Sequence, residues 1–232
     1  MFEGPDTPAY APEVESTGED IMLLKAIKGI LWTGLLLWLF SLTIPIRAAA
    51  AANPPISVIK AGTEQALQIL RSSRSGQAPS VRQRRAEIMV IVDRYFNFHE
   101  MARRSLGRLW RDQPAEKQAE FVRLFKDMLF NTYIDKVESY TGSNEKFAYD
   151  KESIDGDYAV VKTRIQGYKN TDVKVDYRLR FENGEWQVYD VIVEGISLVD
   201  NYRSQFASIL GNESFDGLLR RMRQKVNEMG RS

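Results

Sequence analysis

The sequence predicts an α+β domain in which an antiparallel, twisted sheet is covered by helices. Three observations predict it. Phe121, Leu124, Phe125, Met128, Leu129, Tyr133, Val137 and Tyr140 recur at spacings of three and four, which is one face of a helix held over about six turns. Val173, Val175, Tyr177, Leu179 and Phe181 alternate strictly with polar residues, as a strand with one covered face does. Helical patterns come first, strand patterns follow from about Glu145, and helical patterns close the chain. That order segregates helices from a meander of strands.

The elements follow in order. Lys25 and Lys28 precede an apolar run from Ile30 to Leu42, and Arg47 and five alanines follow it. A positive flank, an apolar centre and a small-residue exit read as a secretory signal peptide. The cut is expected before Asn53, within the window from Ala50 to Pro54. Residues 1–21 are acidic, unlike the start of a leader, so Met22 reads as the start and 1–21 as an extension. The alternative is an uncleaved anchor, for which the apolar run is near the lower length limit. Residues 53–232 then form a single domain, ready for the periplasm after cleavage. Loss of 1–52 removes three cationic and six anionic residues and leaves a net charge of +4.

Residues 54–71 read as a helix, and Ser72–Pro79 as a loop. Ser80 with Gln83 three residues later predicts a capping box at the start of the second helix. A short helix is expected near Asn97–Trp110, where Gly107 suggests close packing. Pro114 fits a first helical position for the long helix. Asp155-Gly156-Asp157 and Asn183-Gly184 signal hairpins. Residues 158–167, 172–182 and 185–194 read as strands, and 198–210 and 214–229 as helices. Val188 and Val191 break the alternation of their strand, which predicts a bulge between them.

Composition excludes several functions. No cysteine is present, so there is no disulfide framework and no thiolate site. His99 is the sole histidine. A zinc site would need an all-carboxylate set, and a Ser-His-Asp triad would have to use His99. No phosphate loop or G-x-G-x-x-G occurs, and Gly195-Ile196-Ser197-Leu198-Val199 departs from the G-x-S-x-G elbow. A net charge of +1 does not suit a nucleic-acid binder. Asp176 and Asp190 lie in strands, and a carboxyl inside an apolar cone can act as a general base. The plainer reading pairs them with Arg178 and Arg180 or with solvent. Arginines cluster at 82–94, 103–111 and 220–223. Such runs are ordinarily solvated helix faces, and the alternative is a docking face for an acidic partner or phosphate head group.

Two blocks carry a family resemblance. Tyr95-Phe96-Asn97-Phe98-His99-Glu100-Met101-Ala102, then Leu106-Gly107 and Trp110, resembles an F-D-F-x-x-M-A…L-G…W segment. Trp186-Gln187-Val188-Tyr189-Asp190-Val191, then Glu194-Gly195-Ile196-Ser197-Leu198-Val199 and Asn201-Tyr202-Arg203-Ser204-Gln205-Phe206, resembles W-x-V-x-D-V-x-x-E-G-x-S-L-V-x-N-Y-R-x-Q-F. Both belong to the MlaC-type, or toluene-tolerance, periplasmic phospholipid-binding proteins. The resemblance spans residues 54–229; Asn97 stands where the family usually has Asp. It implies a nuclear-transport-factor-like cone with phospholipid acyl chains in an apolar pocket, and neither metal, cofactor nor catalysis. It implies a carrier passing lipid between an inner-membrane ABC transporter complex and an outer-membrane lipoprotein–porin complex. Hopanoid cargo is an alternative, and a cone-fold isomerase or dehydratase using Asp176 or Asp190 is a second.

The implied pocket has candidate lining residues. Phe125, Leu129 and Tyr133 lie four apart on the long helix and share a face. Val175, Tyr177 and Leu179 lie two apart on a strand and share a face. Val188 and Val191 come from the next strand, with Tyr202 and Phe206 at the mouth. By itself the same pattern also describes an ordinary core.

Overall fold

Paired prolines open the first helix of the described residues. The structure is a computed structural model that describes residues 53–72, 79–139 and 145–230. The expected leader, residues 1–52, lies outside the described residues, as do most of the Ser72–Pro79 loop and Tyr140. Helix α1 is Pro55–Ser72. Pro55 has no N–H to leave unsatisfied in the first turn, and the Ile56 N–H donates to Glu152 Oε2 at 2.6 Å. A distant strand residue therefore supplies a cap that the local sequence lacks.

Helix α2 is Val81–Tyr95 and begins with the expected capping box: Gln83 N donates to Ser80 Oγ, and Ser80 N to Gln83 Oε1. A Cβ on Gly62 would lie 3.1 Å from the Tyr95 ring, so glycine lets α1 approach α2. Helix α3, Phe98–Leu106, is capped by Asn97, whose Oδ1 accepts from Glu100 N at 2.9 Å. Asn caps as well as Asp does, and its Nδ2 also donates to Gln187 Oε1 at 3.2 Å. Gly107 ends α3 at φ 61°, ψ −127°. Its added Cβ would meet Arg203 only at an ordinary 3.8 Å. The expectation of close packing is corrected: backbone conformation requires this glycine. A 3₁₀ turn, Gly107–Trp110, leads to the long helix α4, Ala115–Glu138, with Pro114 one position earlier than expected, as N-cap.

Five antiparallel strands follow in the order β1-β2-β3-β4-β5: Lys146–Asp155, Tyr158–Tyr168, Thr171–Glu182, Glu185–Val193 and Ile196–Ser197. The two expected hairpins form. Asn183 and Gly184 both have positive φ, as do Glu194 and Gly195 in the β4–β5 turn, the conformation that matches strand twist. Lys169-Asn170 forms a third such turn with no strong sequence signal. Strand β1 shows no clear alternation because its register shifts between Tyr149 and Lys151. In β4, Arg178 pairs with Asp190 but Leu179 with Val188, which leaves Tyr189 as the extra residue. This is the predicted bulge. Helices α5, Leu198–Leu210, and α6, Phe215–Met229, close the chain, capped by Ser197 and Ser214.

Among the described residues the core divides into three clusters. The first joins α3, α4, α5 and α6 through Met101, Phe121, Phe125, Tyr202, Phe206 and Leu218. The second joins α1 to the sheet through Ile59, Val161, Leu179 and Val188. The third joins Leu70, Ile88 and Ile134 to Phe147 and Ile165 at one side of the sheet. The long helix is therefore a partial cover. Its Phe130 and Ile134 meet the sheet, whereas Phe121–Leu129 pack among helices and α1 covers the centre. No helix among the described residues is long and apolar enough to cross a membrane.

One buried carboxylate fixes the corner between sheet and helices. Asp190 is 1% exposed. It accepts from Ser197 Oγ at 2.6 Å, Arg178 Nη1 at 3.0 Å and Val199 N at 3.1 Å. Ser197 Oγ in turn accepts from Asp200 N at 3.0 Å and caps α5. Asp190→Ala removes three charge-assisted bonds and strands their donors, so a loss of roughly 3 kcal/mol is expected. Urea unfolding measures it; a loss under 1 kcal/mol would mean the corner holds without the carboxylate.

Candidate functional site

The ten expected lining residues fall into two groups and one outlier. Phe125, Leu129, Tyr202 and Phe206 are buried together in the helical cluster, with Tyr133 at its border. The Phe125 ring meets Tyr202 edge-on at 5.2 Å and Phe206 at 5.6 Å. Leu179 and Val188 are buried in the sheet cluster, bordered by Tyr177 and Val191. Val175 is buried but joins none of the three clusters. The helix group and the strand group fall in different clusters, and Phe96 packs against both.

Tyr177 marks what lies between. It stands on the covered face of β3, opposite Val161 and Val191. Burial pushes its phenol far above the ordinary value, yet the residue is only half-buried by surface. Tyr177 is thus a residue of the covered face that keeps accessible surface. Its neighbours Val173 and Val193 are likewise half-buried on that face, where a filled core would bury them. Val175, between Val173 and Tyr177, belongs to the same wall.

The sequence reading missed part of this wall. Ile59 of α1, and Tyr149, Thr163 and Ile165 of β1 and β2, share the covered face. The alternation Ala159, Val161, Thr163, Ile165 was available as a signal. Ile59 had none, because the first helix gives no hint of its partner. Polar atoms on this wall are mostly engaged. Thr163 Oγ1 donates to Val175 O at 2.5 Å. Tyr149 is bonded to Thr63, and Tyr202 to Thr132, while burial raises both phenols.

The acid–base candidates face elsewhere. Asp176 alternates with Val175 and Tyr177 and so points to the opposite face, as Arg178 and Arg180 do. The bulge turns Asp190 to that face too, onto Arg178. His99 meets Trp110 edge-on at 5.1 Å, a packing contact. No group of three or more metal-ligating side chains occurs among the described residues.

Many of the clustered arginines hold the fold. Arg84 and Arg85 clamp Glu138, Arg223 bonds Glu120, and Arg221 pairs with Glu213. Arg103 and Arg104 both bond Glu100 at 2.7 Å, and Arg180 approaches it at 3.4 Å. Arg104 also lies 4.1 Å over the Tyr189 ring. Glu100 is 2% exposed. Burial alone would raise its carboxyl, but the bonds from Arg103 and Arg104 outweigh it and hold it below the usual value.

Comparisons with known proteins agree with this geometry. The family model described as MlaC protein matches residues 60–224. The chain is 20% identical over 202 residues to the intermembrane phospholipid transport system binding protein MlaC of Haemophilus influenzae, covering 85% of this chain and 94% of that protein. It is 30% identical over 107 residues to the toluene tolerance protein ttg2D of Pseudomonas putida, covering 46% and 49%. Among solved structures, a phospholipid-binding protein from Ralstonia solanacearum, in complex with a phospholipid, superposes with TM-score 0.65. It is 22% identical, covering 75% of this chain and 97% of that one; the likeness shows a shared fold.

The Glu100 cluster gives a pH test. A depressed carboxyl adds stability that is present above the unfolded value, near 4.5, and is lost as pH falls through the folded value. Glu100→Gln is expected to be less stable than wild type at pH 7, with the gap closing below pH about 4.5. Urea midpoints from pH 7 to 3 measure it. A gap that stays constant down to pH 3 contradicts the assignment.

Proposed function

The chain belongs to the MlaC family, and from that premise we propose that it is a periplasmic phospholipid carrier, not an enzyme. It binds acyl chains between the covered sheet face and the helices. It receives and delivers lipid at an inner-membrane ABC transporter complex and an outer-membrane lipoprotein–porin complex, once its leader, residues 1–52, has been removed. The observation that carries the reading is the wall itself. Tyr177 is deep yet accessible, and Val175 is buried outside every cluster. The sheet supplies Val175, Tyr177, Leu179, Val188 and Val191 to this wall, while Phe125, Leu129, Tyr202 and Phe206 belong to the packed helical cluster with Tyr133 at its border.

The energetics favour such a wall over a constellation of polar groups. Each buried CH₂ is worth about 0.8 kcal/mol, so two acyl chains carry on the order of 20 kcal/mol against water. A carrier has only to match the bilayer it loads from. An apolar cleft of suitable width does this and still releases its cargo. The two carboxylates weighed as general bases point to the other face, which supports a carrier over a cone-fold isomerase.

Protein purified from the periplasm of a Gram-negative host should carry phospholipid detectable by native mass spectrometry. Recovery with no lipid, or with lipid bound only by unfolded protein, rejects the carrier. Val175→Trp is expected to lower the lipid-to-protein ratio severalfold with little change in the melting of delipidated protein. Leu129 sits in the packed helical cluster, so Leu129→Trp should cost roughly 1–3 kcal/mol of stability. A large stability loss in Val175→Trp with lipid unchanged would place the pocket elsewhere.

A further inference from the structure

The hydroxyl groups of the wall are not all spoken for. Tyr95 accepts from Gln65 Nε2 at 2.8 Å, and Tyr168 lies 3.1 Å from Ser139 Oγ. Tyr149 has Thr63 and Tyr202 has Thr132, and Thr163 donates to a backbone carbonyl. Tyr158 and Tyr189 stack beside Arg104 on the outer face. Tyr133, with the Lys136 ammonium 5.4 Å from its ring centroid, borders the helical cluster and is not on the sheet. Tyr177 remains. Among the described residues its hydroxyl has no hydrogen-bond partner. No buried side-chain oxygen or nitrogen among them lacks one, so the Tyr177 hydroxyl is not sealed in protein and keeps accessible surface on the covered face of β3.

A diacyl lipid brings the complementary need. Its chains hold no hydrogen-bonding group, and its phosphate head can stay in water. Its two ester carbonyls sit between these and lose water when the chains are enclosed. An unmet acceptor costs about 1–3 kcal/mol, and so does an unmet donor. Tyr177 is also placed to serve. It is central in β3, fixed by Val161 and Val191 on either side, and packed at its base against the sheet cluster.

We propose that the Tyr177 hydroxyl donates a hydrogen bond to an acyl ester carbonyl of the bound lipid and thereby selects ester-linked over ether-linked lipids. This rests on the carrier reading and adds the chemical class of its cargo. An ether oxygen is a weaker acceptor at that position and lacks the carbonyl's reach. One neutral hydrogen bond corresponds to a preference of roughly three- to tenfold.

The test uses delipidated full-length mature protein and two probes: a diester phosphatidylethanolamine, and its diether analogue with the same chain length and head group. Competition against a fluorescent phospholipid gives relative affinities for wild type, Tyr177→Phe and Tyr158→Phe. Wild type should prefer the diester roughly three- to tenfold. Tyr177→Phe should lose that preference by weakening toward the diester alone, with diether affinity unchanged. Tyr158→Phe, on the outer face beside Arg104, should keep it. Equal binding of both probes by wild type overturns the proposal without any variant, and so does a preference that survives in folded Tyr177→Phe. Binding of neither probe by wild type would instead reject the carrier reading, and the ester contact with it.

Discussion

The Asp190 carboxylate is the contact on which the rest of the arrangement hangs. Strict alternation from Val188 would place position 190 on the apolar face and 191 on the outer one. The extra residue at Tyr189 reverses this. Asp190 turns out to meet Arg178, Ser197 and the Val199 N–H, while Val191 and Val193 return to the inner wall opposite Tyr177 and Val175. The same carboxylate ties down the first turn of α5, and that helix brings Tyr202 and Phe206 onto Phe125. One irregularity in a strand thus keeps a charge out of the wall and fixes the start of a helix.

The core is divided, and α4 joins the sheet's cluster only through Phe130 and Ile134 near its end. Here stability is concentrated in the helical cluster, where Phe121, Phe125 and Leu218 are fully buried, and at the α1–sheet contact. Ion pairs clamp the helices as well: Arg84 and Arg85 hold Glu138, and Arg103 and Arg104 hold the buried Glu100. In the sequence these arginine runs read as solvated helix faces, with a docking face as the alternative. Most are occupied, so less free charge is available to a partner than their count suggests.

Much of the fold was legible because its signals are local. The capping box at Ser80, the Asn183-Gly184 turn, the alternation of β3 and the bulge between Val188 and Val191 each need only a few neighbours to be read. Strand β1 was not legible as a strand, since its register shift near Asp150 breaks the period. The turn at Lys169-Asn170 uses a lysine at positive φ, which no turn rule favours. Gly107 was recognised as needed but for the wrong reason, because packing and backbone conformation leave the same letter. The choice of α1 over α4 as cover for the central sheet depends on Ile59 meeting Val161 and Leu179, a contact between residues about a hundred positions apart.

The site was less legible than the fold for a further physical reason. Nearly every residue in the two family blocks has a structural task. Asn97 caps α3 and bonds its backbone N–H to Val188 O; Trp186 packs on Phe181 at 5.2 Å. Glu194-Gly195 turns the chain, Ser197 caps α5, and Arg203 reaches the Arg104 carbonyl at 3.1 Å. Such roles demand one residue type each, so they leave a motif. A wall that holds methylene groups demands only apolar surface of suitable width, which many residues provide, and leaves none. The family therefore shows itself through the groups that hold the scaffold in place. What distinguishes one cargo from another falls to residues such as Tyr177, where a single oxygen in an alternating strand changes the chemistry of the wall without changing the pattern that marks it as a strand.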